Sequence, residues 1–335
     1  MRGLILLALI VAALAAASTP FDGPRMRMER AALALLASLD EGQRARIARP
    51  METRREWNIV PGDRPGVTLG ELTETQRSLA HALLRTGLSQ QGYLKADAVI
   101  QLEHILREMG ENPRVRDPGR YVVQVFSHPE SGKPWAWRIE GHHLSLLFTF
   151  GQGPEAAVTP MFFGANPAHV HRGSRAGLRV LWAEEDLARE LLASLTPEQR
   201  ETGVLDQRVP ADIIMGPGRT KESLGPAIGL LAREMKPAQQ ALVRRLVEVY
   251  VGNLDQGLAE PQRGRLGDLG DVRFLWIGSD EPGRPHYYRL HAPGWVIEYD
   301  NTQDGANHVH TIFRDFERDF GADLLRDHLE RDHGR

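Results

Sequence analysis

Hydrophobic and polar positions alternate between two periods along this 335-residue chain. Between residues 24 and 110 apolar residues recur at helical spacing. Leu33, Leu35, Leu36 and Leu39 stand among alanines in 25–39, and 73–87 and 96–109 repeat the pattern. That spacing gives a helix one apolar face, so three helices are predicted there. From Tyr121 the period shortens. The segments 121–127, 135–150, 158–163, 272–278, 286–291, 295–300 and 308–313 are rich in β-branched and aromatic residues and read as strands. Helices at about 184–195 and 223–250 interrupt them, 251–270 reads as a loop, and a short helix closes the chain at 322–330. Strands that follow strands through short turns favour an antiparallel sheet. The predicted fold class is α+β: a largely antiparallel sheet with helices packed on it and a helical N-terminal part. Residues 18–335 are expected to form one domain, helical over 24–110 and strand-rich over 121–335.

One polar signature recurs among the helix starts. Asp40 precedes Gln43, Thr73 precedes Gln76, and Thr196 precedes Gln199, each by three positions, and Lys236 with Gln239 is a weaker echo. This is capping-box spacing, in which the cap side chain takes the third amide and the glutamine reaches back. The irregular distances between copies favour recurrent helix starts over a helical repeat.

The first residues have a character of their own. Arg2 precedes an apolar run from Leu4 to Ala17, ending in Ala15, Ala16 and Ala17. The run is shorter than a spanning helix needs and has the small residues of a cleavage site, so residues 1–17 read as a signal peptide. No second apolar run reaches spanning length. The expectation is an exported protein, periplasmic or extracellular, with no stable membrane span after cleavage. The chain has no cysteine, so a packed core rather than disulfides must hold it. Its net charge of −3 gives no basic field for nucleic acid.

Candidate chemistry gathers at histidines, of which there are thirteen. His308 and His310 lie two apart on a predicted strand and so point to one face. A turn at Gln303, Asp304 and Gly305 would fold that strand back on 295–300, bringing Glu298 and Asp300 near them. His142 or His143, in the string EGHH, could complete a set of imidazoles and carboxylates. Such a set suits a divalent metal (Zn, Fe, Mn or Cu). Glu140 is the candidate base, with Arg138 orienting an anionic substrate. His169 and His171 form a further pair in a Gly/Asn/Pro-rich loop. The aromatic set Trp135, Trp137, Tyr287, Tyr288 and Trp295 reads as core packing first and as a ligand wall second. No GxSxG elbow, HExxH motif or Walker loop is present.

Several strings resemble the DUF3500 family of unassigned function: 135–150, 160–168, 183–199 and 286–328, within an overall resemblance over about 25–333. The resemblance implies one family domain and brings no established reaction or ligand set. The site expectations therefore rest on the residues themselves. They leave open an exported metal-dependent enzyme, hydrolytic or oxidative, acting on a small polar substrate. They equally leave open a metal-free small-ligand binding protein of the cell envelope, or a structural or interaction protein.

Overall fold

The computed structural model describes residues 22–130 and 132–324. The predicted signal segment 1–17 and the end of the predicted helix 322–330 lie outside these residues. Chain order begins with α1 (Pro24–Ser38), α2 (Glu41–Ile47), β1 (Ala48–Arg49), β2 (Val67–Thr68), α3 (Glu74–Gly87) and α4 (Gln90–Glu108). Then follow β3 (Val122–Phe126), β4 (Trp135–Gly141), β5 (Leu144–Phe150), β6 (Ala156–Ala157) and β7 (Met161–Ala165). A second series runs α5 (Trp182–Ser194), α6 (Pro197–Gly203), β8 (Val204–Leu205), α7 (Lys221–Leu224), β9 (Leu230–Leu231), α8 (Pro237–Val251) and α9 (Gln256–Arg265). It ends with β10 (Arg273–Gly278), β11 (His286–His291), β12 (Trp295–Gln303) and β13 (His308–Asp315). The α+β class, the largely antiparallel sheet and the helical N-terminal part are as the sequence predicts.

All the strands join one 13-stranded sheet, in the order β1-β3-β4-β5-β7-β13-β12-β11-β10-β8. This order reads the same from both edges when the two series are exchanged. The pairings agree as well. β1 lies parallel to β3, and β8 lies parallel to β10. β2 is antiparallel to β3, and β9 to β10. The sheet is therefore an internal duplication with a pseudo-twofold axis between β7 and β13.

The recurring cap signature marks helix starts, as the sequence predicts, and its copies are themselves related by this duplication. Gln43 and Gln76 exchange side-chain amide hydrogen bonds in the first half, at 3.3 and 2.8 Å. Gln199 and Gln239 do the same in the second, at 3.1 and 2.8 Å. Gln76 also donates to Ser38 O and Gln239 to Ser194 O. Each pair staples the start of one helix to the start of another. The copies are unevenly spaced because the crossover loop at 50–66 is shorter than its counterpart at 206–229.

The faces of the sheet differ. Helices cover one face, and the main core lies there, with Trp137, Phe148, Tyr288, Tyr299, Val309 and Phe313 all buried. The two crossover loops cover the other. Ile59 from one and Ile213 and Met215 from the other pack together on Phe162, Val296 and Ile312. Residues alternating along β13 thus serve two covers, which is why its run is apolar and polar by turns yet nearly all buried.

Three elements depart from expectation, the first being the predicted helix 223–250, in which Leu230–Leu231 pair as β9 with β10 and α8 begins only at Pro237. Residues 256–265 form α9 rather than loop. Gly257, Pro261 and Gly264 give them poor helix propensity, but Leu258, Ala259 and Gln262 are buried and Asp255 caps the first turn at Gly257. The predicted strand 135–150 is a hairpin, since Gly141 pairs with Leu144 across a two-residue turn. Among the described residues no helix is long and apolar enough to cross a membrane.

Candidate metal centre

The β4–β5 turn consists of His142 and His143. His143 has φ +64°, a left-handed conformation that costs a residue with a Cβ about 1 kcal/mol or more. Its backbone is held on both sides: His143 N donates to Ile59 O at 3.1 Å, and Gly164 N donates to His143 O at 2.7 Å. Gly164 leaves room for the imidazole, because a Cβ there would lie 2.8 Å from His143 Cδ2. Tyr121 packs against Gly141, where a Cβ would meet its ring at 2.2 Å. Its hydroxyl donates to His142 O at 2.5 Å. The turn is thus locked with the His143 ring over β7.

β13 supplies the other two rings. After β12, Asp304, Gly305 and Ala306 all adopt positive φ and reverse the chain. His308 and His310 then project to the loop-covered side of the sheet, while Val309 enters the core under the helices. The three imidazoles converge: His143 Nε2 lies 2.7 Å from His308 Nε2, and His308 Nε2 lies 3.1 Å from His310 Nε2. His308 Nδ1 donates to Asp304 Oδ2 at 2.8 Å, and His310 Nδ1 donates to Asp212 Oδ1 at 2.6 Å. Asn166 steadies Asp304 from β7's end, with its amide 3.1 Å from Oδ2.

These carboxylates decide the chemistry of the rings. Each accepts the Nδ1 proton, so the Nε2 of that ring carries its lone pair inward. Burial, and then the neighbouring rings, push the His143 imidazole well below its ordinary range. Burial, and then His310, lower His308 to about 4. These two rings are neutral at pH 7, and with the His143 proton on Nδ1 its bare Nε2 lone pair faces that of His308 and the two repel. A cation among them removes the repulsion. Nitrogens 2.0–2.1 Å from a tetrahedral ion lie about 3.3 Å apart, so the cluster needs to open by about half an ångström. His143, His308 and His310 could hold a metal ion.

The remaining residues singled out in the sequence sit elsewhere or beside the cluster. His142 turns away from it: its Nδ1 meets Glu103 Oε1 at 2.5 Å and Arg116 Nη1 at 2.9 Å. It touches the cluster only by stacking on His143, at 3.6 Å between ring centroids. Glu140 is buried between Arg64 at 3.2 Å and Arg138 at 3.4 Å and accepts from Ser145. Arg138 caps the carbonyls of Arg54 and Glu56 in the first crossover loop. Glu298 is fully buried and accepts from Ile214 N, Met215 N and Tyr287 Oη, so it anchors the second crossover loop.

Asp300 lies directly across the strand pair from His310. It accepts from Thr302 N and Oγ1 through Oδ1, leaves Oδ2 buried without a partner, and is raised to about 6 by burial. It is the carboxylate of the expected set that the fold brings nearest. Trp135, Trp137, Tyr287, Tyr288 and Trp295 are buried packing residues. Asp212, Asp304 and Asn166 are the partners that sequence reasoning missed. Asp304 had a signal in its turn position four residues before His308. Asp212 had none, because a crossover loop carries it in from far along the chain.

No curated protein and no solved structure matched the chain. One family model, described as a protein of unknown function (DUF3500), matches residues 22–322 and so covers both halves of the sheet and all three clustered histidines. The chain belongs to the DUF3500 family.

Proposed function

We propose that this protein is an exported metal-dependent enzyme whose metal is held by His143, His308 and His310, with zinc the ion of best fit. The convergence of three Nε2 atoms, two of them on rings whose Nδ1 is tied to a carboxylate, carries the reading. Three neutral imidazoles with carboxylates only in outer positions resemble three-histidine zinc sites more than the two-histidine, one-carboxylate sets that suit Fe(II). Zinc held by these three rings would leave room for a bound water and would lower its pKa to about 7, which would supply a nucleophile for hydrolysis. Asp212 and Asp304 orient the rings and raise their basicity. The apolar run before Ser18 supports export.

Metal analysis of the purified mature chain after reconstitution with Zn, Fe, Mn and Cu tests this. About one zinc per chain is expected in wild type, and less than about a tenth of that in His143→Ala and His310→Ala. A folded wild type that retains no metal overturns the reading. A second reading rests on the same geometry: at 2.7 Å one ring could donate an N–H to the other, giving a metal-free polar core. It requires no metal uptake and unchanged stability in chelator.

A further inference from the structure

Beside the cluster, at the same end of the sheet, lies a cavity of about 640 Å³. That is the size range of small-molecule pockets. It is not part of the metal cluster but is fastened to it. Asn307, immediately before His308, accepts from Ala168 N and His169 N and donates to His169 O. Asn166, immediately before the lining residue Pro167, donates to Asp304, the carboxylate that holds His308 Nδ1. The wall of the cavity is therefore set by the same residues that set the ring positions.

The lining has two poles and an apolar floor. Ile105 and Val170 are buried beneath it. On one side α4 ends at Glu108, and the carboxylate there adds to the negative end of a 19-residue helix. Glu108 Oε2 lies over Gly173, 3.7 Å from where a Cβ would stand. Arg172, next in the chain to Gly173, also lines the cavity. Neither Glu108 nor Arg172 makes an ion pair or side-chain hydrogen bond among the described residues. The rings of His169 and His171, 4.3 Å apart, face the same cavity with their nitrogens free of hydrogen bonds among the described residues. Opposite charges that do not neutralise each other, set over an apolar floor, match a ligand carrying both charges.

We propose that this cavity binds a small zwitterion with an apolar side chain, of which an α-amino acid is the simplest, its carboxylate at Arg172 and its ammonium at Glu108. The inference goes beyond the metal centre proposed above, and the binding itself requires no metal.

Calorimetric titration of the full-length mature protein tests it with four probes: L-leucine, L-phenylalanine, 4-methylpentanoate and 3-methylbutylamine. The amino acids should bind at least about tenfold more tightly than the acid or the amine. Arg172→Ala and Glu108→Gln, both at exposed positions, should each weaken leucine binding about tenfold. Equal binding of leucine and 4-methylpentanoate, no binding of any probe, or leucine binding unchanged in both variants overturns the proposal. Zinc content measured on the same samples separates the two readings. A wild type that binds leucine but no zinc keeps this proposal and loses the metal centre. A zinc-loaded wild type that binds no amino acid overturns this proposal alone.

Discussion

The hairpins β4–β5 and β11–β12 hold equivalent places in the two halves of the sheet, and they share a frame but not a turn. Trp137 stacks on Phe148 at 4.6 Å in one, and Tyr288 stacks on Tyr299 at 5.1 Å in the other. Arg138 caps two carbonyls of the shorter crossover loop, as Arg289 caps Leu224 O and Pro226 O of the longer. Even the entry is repeated: Asp117 accepts from Gly119 N before β3, and Asp268 accepts from Gly270 N before β10. At the turns the likeness stops. The first reads Gly141, His142, His143, and the second reads Ala292, Pro293, Gly294. Packing therefore accounts for what the halves have in common, and chemistry resides where they differ. A residue kept in both copies is architectural until shown otherwise, and by that rule Arg138 is a loop clamp.

The largest expected effect breaks the equivalence of the two clamps. Arg138→Met removes the caps of two carbonyls and also leaves buried Glu140 with Arg64 as its remaining ion-pair partner. Two unpaired carbonyls and a buried ion pair reduced to one partner together cost about 3–5 kcal/mol. Arg289→Met leaves two carbonyls unpaired and takes a cation from beside buried Glu298, which keeps its three donors, a loss of about 1–3 kcal/mol. Urea unfolding of both variants checks this, and equal losses would mean that the Glu140 pair contributes nothing beyond the clamp.

A smaller effect sharpens the contrast between the site and its surroundings. Asp212→Asn and Asp304→Asn should each weaken zinc about 10- to 100-fold, the usual cost of losing an outer carboxylate partner. Glu298→Gln should leave zinc affinity within about threefold, since its carboxylate holds loop amides rather than an imidazole. Competition with a chromophoric chelator measures all three. If Glu298→Gln lowered affinity as much as Asp212→Asn, the second crossover loop rather than its one carboxylate would be what positions His310.

How much of this the sequence carried depends on how far each signal reaches along the chain. Strand alternation and cap spacing are local, and they placed the sheet, most helices and the turn before His308. The shared face of His308 and His310 is equally local, because it follows from the period of a strand. The choice between His142 and His143 turned on where a two-residue turn falls, and the strand-like run 135–150 hid that turn. Glu298 and Asp300 were correctly set across from β13, yet an approaching loop supplied two amides to one of them. Asp212 depends on that loop's path, which no periodicity encodes. The duplication stayed hidden because equivalent core positions hold different aromatics and the crossover loops differ in length.

The smallest expected effect asks whether the halves are energetically alike where they are most alike. Gln76 and Gln239 are buried, and each joins two helix starts through a reciprocal amide pair and a bond to a helix-end carbonyl. Replacement by leucine removes these bonds and leaves a buried carbonyl and a partner amide unsatisfied, which costs about 1–3 kcal/mol in each case. Gln76→Leu and Gln239→Leu should therefore lower stability by amounts within about 0.5 kcal/mol of each other. Being far apart with no shared partner, they should also add in the double variant. Unequal single losses would show that the two staples have diverged in burden, although their geometry has not. A double loss well short of the sum would show that one half unfolds before the other, so that the continuous sheet does not make the two copies a single cooperative unit.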